Sequence, residues 1–265
     1  MSTYDAFADF RMADHVAIVT GGAQNIGAGI ATALAGAGAR VVIADLNGEK
    51  AKATAEVIEQ RTGSPAIGIG CDVTSDADIQ ACIDATVGTF GGISTLVNNV
   101  GWGEANADPF AVTEEQMVAS YRLNTVSALR MTSAAVPYLR QAENASVTNS
   151  GSMVSFLPAF DFLAYSSAKA ALNHMMVGLA HALAKQVRVN TVLIGTIITE
   201  GYAAAGLDQA AQDALAHPNN LTGRAGKPED VGNAVLWLSS PAGSWVSGQI
   251  LQVAGGPSRV RLMPE

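Results

Sequence analysis

Short apolar runs, several rich in β-branched residues, alternate along the chain with longer Ala-rich stretches. The runs 15–20 (HVAIVT), 40–45 (RVVIAD), 66–71 (AIGIGC), 93–98 (ISTLVN), 145–150 (ASVTNS), 188–194 (RVNTVLI) and 249–253 (QILQV) read as strands. Several are apolar almost throughout, as strands covered on both faces are. Helical stretches fall at 25–37, 48–61, 75–90, 114–141, 163–185 and 228–239. The alternation predicts right-handed crossovers and an α/β fold, a doubly wound parallel seven-stranded sheet with helices on both faces.

No repeat, low-complexity segment or linker interrupts the pattern, so residues 1–265 are expected to form a single domain. Residues 196–227 break the rhythm just past a strand end, where a substrate lid would sit. The stretch 168–184 (AKAALNHMMVGLAHALA) is apolar or small on nearly every face. A helix of that kind is buried all round. The sheet covers one side only, and the other is expected to meet a second copy of the chain.

Composition narrows the function. Only 14% of the residues are charged and the formal net charge is −8, with Lys and Arg scattered. The basic footprint of a nucleic-acid binder is missing. Cys71 and Cys82 make neither a metal spacing nor a disulfide framework and read as reduced, buried thiols. The first fifteen residues carry acids and no apolar run, which does not fit a signal peptide, and no window has the length of a membrane span. A cytoplasmic protein is expected.

The segment AIVTGGAQNIGAGIATALAGAGARVVIAD runs strand, Gly-rich turn, helix, strand. Glycines let backbone approach a pyrophosphate, and the helix N-terminus offers unpaired N–H groups and a positive dipole. Asp45 ends the second strand, 24 positions after Gly21. A carboxylate there accepts hydrogen bonds from both ribose hydroxyls of NAD and repels a 2′-phosphate. No Lys or Arg follows it, only Leu46 and Asn47. The segment therefore reads as a Rossmann dinucleotide site with NAD preferred, although Asp45 could serve as a turn or cap residue alone.

The turn TGGAQNIGAG resembles the TGxxxGxG turn of the short-chain dehydrogenase/reductase family. NNVG at 98–101, Ser152, YSSAK at 165–169 and IG at 194–195 follow in that family's order, over residues 20 to about 256. Three departures stand out: Asn25 replaces a glycine, Val100 an alanine and Ile194 a proline. Asn tolerates positive φ best after Gly, so the turn is expected to survive. The resemblance implies cofactor contacts from Gly21, Asn25, Ile26, Gly27, Asp45, Leu46, Asp72, Val73, Asn98, Tyr165, Lys169, Ile197 and Thr199. It also suggests a homotetramer.

Tyr165 and Lys169, four apart, share one helix face. An ammonium near a phenol is expected to lower its pKa and make it a usable acid or base. Taken alone, such a pair is commonly an exposed surface contact. By the resemblance, Tyr165 exchanges a proton with the substrate oxygen and Ser152 stabilises charge on it. Lys169 holds the cofactor ribose and tunes Tyr165, and Asn124 in YRLNTVS supports a water path to the lysine. No metal is required, and the four histidines form no ligand spacing.

The residues after strand ends are large and apolar: Trp102, Met153, Val154, Phe156, Leu157, Phe160, Phe162 and Tyr202. They either wall a pocket for a bulky, lipophilic secondary alcohol or ketone or pack the lid onto the core. SPAGSWVSGQILQVAGG and YRLNTVS are similar to the 7α-hydroxysteroid dehydrogenase branch, which suggests a hydroxysteroid. A cyclic or aryl alcohol and a sugar-derived polyol stay open. A 3-oxoacyl carrier protein reductase is disfavoured by Asp45, and a non-catalytic NAD-binding sensor by the intact Ser152, Tyr165 and Lys169.

Overall fold

The computed structural model describes Asp5, residues 7–199 and residues 221–256. Seven parallel strands form one sheet in the order β3-β2-β1-β4-β5-β6-β7. They are β1 (Val16–Thr20), β2 (Arg40–Asp45), β3 (Ala66–Gly70), β4 (Thr95–Asn98), β5 (Ser146–Ser152), β6 (Arg188–Ile194) and β7 (Ile250–Val253). Helices α1 (Asn25–Gly36), α2 (Gly48–Thr62), α3 (Asp76–Phe90), α4 (Glu114–Tyr121), α5 (Ser127–Leu139), α6 (Leu163–Ala182) and α7 (Pro228–Ser239) connect them. The strand order reverses between β1 and β4, the switch point where open α/β sheets bind ligands.

Strand alternation builds two cores. Val41 and Ile43 of β2 join Ile30 and Leu34 of α1 and Val231 and Leu238 of α7 on one face. Their neighbours Val42 and Ala44 join Leu96, Met131 of α5 and Leu172 and Met176 of α6 on the other. Each large apolar side chain so buried contributes roughly 1.5–3 kcal/mol. Arg188 donates to the carbonyl oxygens of Leu238, Ser239, Ser240 and Gly243. Its charge thereby sits on the C-terminal end of α7, where a cation is favoured.

The helix expected over 114–141 is three consecutive pieces. A π-turn, Arg122–Val126, separates α4 from α5, and π-turns inside helices recur at functional sites. Within the single chain α6 is covered on one side, the other being the face expected to meet a second copy. Ala170, His174, Gly178 and His181 are exposed in the single chain.

The expected lid, 196–227, falls largely outside the described residues, but its two ends are joined. Ile198 N donates to Gly226 O at 2.9 Å and Gly226 N to Thr196 O at 3.0 Å. Cys71 and Cys82 are free and buried. Among the described residues no helix is long and apolar enough to cross a membrane.

Candidate active site

A cleft of about 980 Å³ opens at the C-terminal ends of the strands around the switch point. Its floor is the turn between β1 and α1. Gly21 has φ 60° and Asn25, which opens α1, has φ 50°. The asparagine at the family's glycine position thus adopts the left-handed region that only Gly, Asn and Asp visit readily. At Gly27 a Cβ would lie 2.0 Å from Gly21 O, so only glycine allows the helix this close to the turn. The side chain of Gln24, the N-cap of α1, makes no capping bond. The open helix start and bare backbone suit a pyrophosphate.

The turn is braced from two sides. Asp45 Oδ2 accepts from Ala23 N at 3.1 Å and Oδ1 from Asn47 N at 3.0 Å. Asp45 and Leu46 also line the cleft, so the carboxylate serves the turn and faces the ligand space together. Asn99 Nδ2 donates to Thr20 O and Gly21 O, each at 3.1 Å, while its Oδ1 accepts from Ser150 Oγ at 3.0 Å. Asp72 and Val73 line the cleft beyond β3. Hydrogen bonds from Thr74 N and Oγ1, both 2.8 Å, hold the Asp72 carboxyl below its ordinary range. Ile197 and Thr199 line the far end, after β6.

Asn98 departs from the expectation. Its Nδ2 donates to Asn149 Oδ1 at 2.9 Å and Thr132 Oγ1 at 3.0 Å, inside the core. It stiffens β4 against β5 and α5. Asn99, Val100 and Gly101, just beyond the end of β4, line the cleft instead.

At the other end of the cleft Ser152 closes β5 and Tyr165 stands in the first turn of α6, and both line it. The Ser152 hydroxyl is near enough to the Tyr165 phenol to influence its ionisation. Burial pushes the Tyr165 phenol above its ordinary pKa, and Ser152 opposes this. That reverses the sign expected from the lysine spacing. Lys169 is 2% exposed, and its Nζ donates to Ser150 O at 2.8 Å, 5.8 Å from the Tyr165 ring centroid. Burial lowers the Lys169 pKa to about 8, so it is a weaker source of positive charge than spacing alone suggests. Lys169 stands behind the cleft wall rather than on it, against Gly101, where a Cβ would lie 2.5 Å from Nζ.

Asn124 lies in the π-turn and holds both backbone groups of Trp102. Oδ1 accepts from Trp102 N at 3.1 Å and Nδ2 donates to Trp102 O at 2.9 Å. This fixes the segment Gly101–Trp102–Gly103 across the start of α6. A Cβ at Gly103 would lie 2.4 Å from Tyr165 Cβ. Sequence reading missed Gly103 and Asn99, although the paired asparagines of NNVG carried the signal for the latter.

Of the apolar candidates, Trp102, Met153, Val154 and Leu157 line the cleft. Phe156 and Phe160 are largely exposed. Phe162 packs edge-on against Tyr165, ring centroids 6.4 Å apart. Tyr202 lies outside the described residues.

A dinucleotide cradle and a Ser–Tyr pair at opposite ends of one switch-point cleft define a nicotinamide-dependent oxidoreductase site. The family model described as enoyl-(acyl carrier protein) reductase matches residues 21–258. The 7α-hydroxysteroid dehydrogenase of Escherichia coli is 34% identical over 94% of this chain and 96% of its own length. A 4-formylbenzenesulfonate dehydrogenase of Comamonas testosteroni is 36% identical over 91% of this chain and 96% of its own. A solved 7α-hydroxysteroid dehydrogenase, complexed with NADH and 7-oxoglycochenodeoxycholic acid, superposes with TM-score 0.88 at 31% identity, covering 97% and 99% of the two chains. The chain belongs to the short-chain dehydrogenase/reductase family. It is an oxidoreductase acting on hydroxyl or keto groups.

Proposed function

We propose that the protein is an NAD-dependent dehydrogenase that interconverts a bulky, lipophilic secondary alcohol and its ketone. The observation that carries the reading is that Ser152 and Tyr165 line the same cleft as Asp45. When bound, the nicotinamide supplies or accepts the hydride. The Tyr165 hydroxyl gives its proton to the carbonyl oxygen in reduction and takes it back in oxidation. Ser152 donates a hydrogen bond to that oxygen as charge develops. Lys169 carries positive charge behind Tyr165, and Asn124 keeps the wall at Trp102 in place.

The preference for NAD rests on Asp45, which would meet a 2′-phosphate with like charge. Among the described residues the cleft lining contains neither Lys nor Arg, and Lys50, just outside it, is held by Gln24 Oε1. Trp102, Met153, Val154 and Leu157 favour an apolar substrate body. The 7α-hydroxysteroid dehydrogenase relatives make a hydroxysteroid the leading candidate. The whole chain is taken as one catalytic domain with 196–227 as its lid. The exposed small face of α6 favours a homotetramer, and free buried thiols favour the cytoplasm.

The test follows NADH fluorescence with a panel of steroid, aryl and cyclic secondary alcohols, against NAD and NADP in parallel. Turnover with NAD on the bulky members supports the reading. NAD binding with no turnover on any member refutes it, and sedimentation of a monomer would refute the tetramer.

A further inference from the structure

A second cavity, of about 220 Å³, lies on the flank of the catalytic tyrosine, between the 102–106 loop, α4 and the start of α6. We propose that this cavity is the subsite that takes one uncharged ring of the substrate and discriminates against anionic ones. The proposal rests on the dehydrogenase reading above and deepens it.

Three observations carry it. The cavity adjoins the main cleft, and Trp102, Leu123 and Tyr165 line both. A group seated in it lies against the Tyr165 side chain. The size fits a ring, since an apolar cavity of about 150 Å³ admits benzene. The lining is mostly apolar, including Ala119 and Val112. Apart from Tyr165, the one ionisable side chain among the described lining residues is Glu104, exposed at the rim. A carboxylate or sulfonate in this space would meet a like charge with no cation in the lining to offset it. The position of the entrance is fixed, not incidental. Asn124 holds the Trp102 backbone at both its N–H and C=O, and Asn106 N donates to Asp161 O at 2.6 Å, tying the loop to the approach of α6.

The experiment measures binding of acetophenone and of 4-acetylbenzoate to the NAD-loaded protein by saturation-transfer NMR. The variants are Ala119→Leu, which fills the cavity from α4, and Glu104→Gln. Acetophenone is expected to bind about tenfold more tightly than 4-acetylbenzoate, and Glu104→Gln to close most of that gap. Ala119→Leu is expected to weaken acetophenone about tenfold while NAD affinity stays within about twofold of wild type. If Ala119→Leu also loses NAD, Ala105→Leu, which fills from the facing loop, decides in its place.

An unchanged acetophenone affinity in the filled variant overturns the proposal. So does equal binding of the two ketones by the wild type. A ring that binds and responds to the variants without any hydride transfer upholds the subsite and refutes the dehydrogenase reading instead.

Discussion

The Lys169 ammonium stands 5.8 Å from the centroid of the Tyr165 ring and donates to Ser150 O at 2.8 Å. Lys169 is buried and Tyr165 half-buried, and desolvation drives both toward their neutral forms: the phenol up, the ammonium down to about 8.

Lys169 therefore ties stability to pH. Its pKa falls from 10.5 unfolded to about 8 folded, so the folded state binds this proton less tightly. Its contribution is fully present above pH 10.5 and is lost as pH falls toward 8. Across that window the stability of the ligand-free wild type should rise relative to Lys169→Met by about 3 kcal/mol, at roughly 1.4 kcal/mol per unit. Tyr165 opposes this above its unfolded pKa, since a raised phenol loses its contribution as pH climbs. The comparison with Lys169→Met cancels that opposing effect. Urea unfolding of both proteins at pH 8 and pH 10.5 measures it.

The raised phenol also sets the direction of the rate profile. Alcohol oxidation needs Tyr165 without its proton, and ketone reduction needs it protonated. The kcat/KM for oxidation should climb into the alkaline range, while that for reduction falls there. Steady-state rates in both directions across one buffer series measure the two limbs.

Asp45 predicts a cofactor switch. Asp45→Ser removes the carboxylate that faces the ribose site, so KM for NAD should rise about tenfold or more while KM for NADP falls. The carboxylate also accepts from Ala23 N and Asn47 N. Asp45→Asn, which keeps one oxygen acceptor, should retain more stability than Asp45→Ser while losing the same discrimination. Paired cofactor titrations and thermal midpoints separate the two roles.

How far the chain announced these features follows from what each depends on. The strands β2 and β6 and the pair Ser152–Tyr165 were legible because they rest on apolar runs and fixed spacings. Asn98 and Asn99 were not separable, since which one faces the cleft depends on where β4 ends. The π-turn at Arg122–Val126 leaves no mark on a helical pattern, because a slipped hydrogen bond keeps the same side-chain composition. The direction of the Tyr165 shift in the ligand-free chain was not legible for a related reason. Spacing reveals the neighbouring ammonium, whereas burial is a property of the assembled fold. The exposed stripe Ala170, His174, Gly178 and His181 on α6 likewise depends on which face the sheet already covers.

Asn25 tests the turn itself. With φ 50°, Asn25→Gly should keep NAD affinity within about twofold. Asn25→Val, β-branched in the left-handed region, should cost about 1–3 kcal/mol. Chemical denaturation and NAD titration of the two variants give both quantities.

The most direct test compares the wild type with Tyr165→Phe in NADH-dependent reduction of the best ketone from the panel. The variant keeps the ring, its packing and the cofactor cradle, and removes only the hydroxyl. A fall in kcat of about 10²-fold or more, with NADH affinity unchanged, is the result expected if that phenol delivers the proton. A variant that reduces the ketone at the wild-type rate would contradict it.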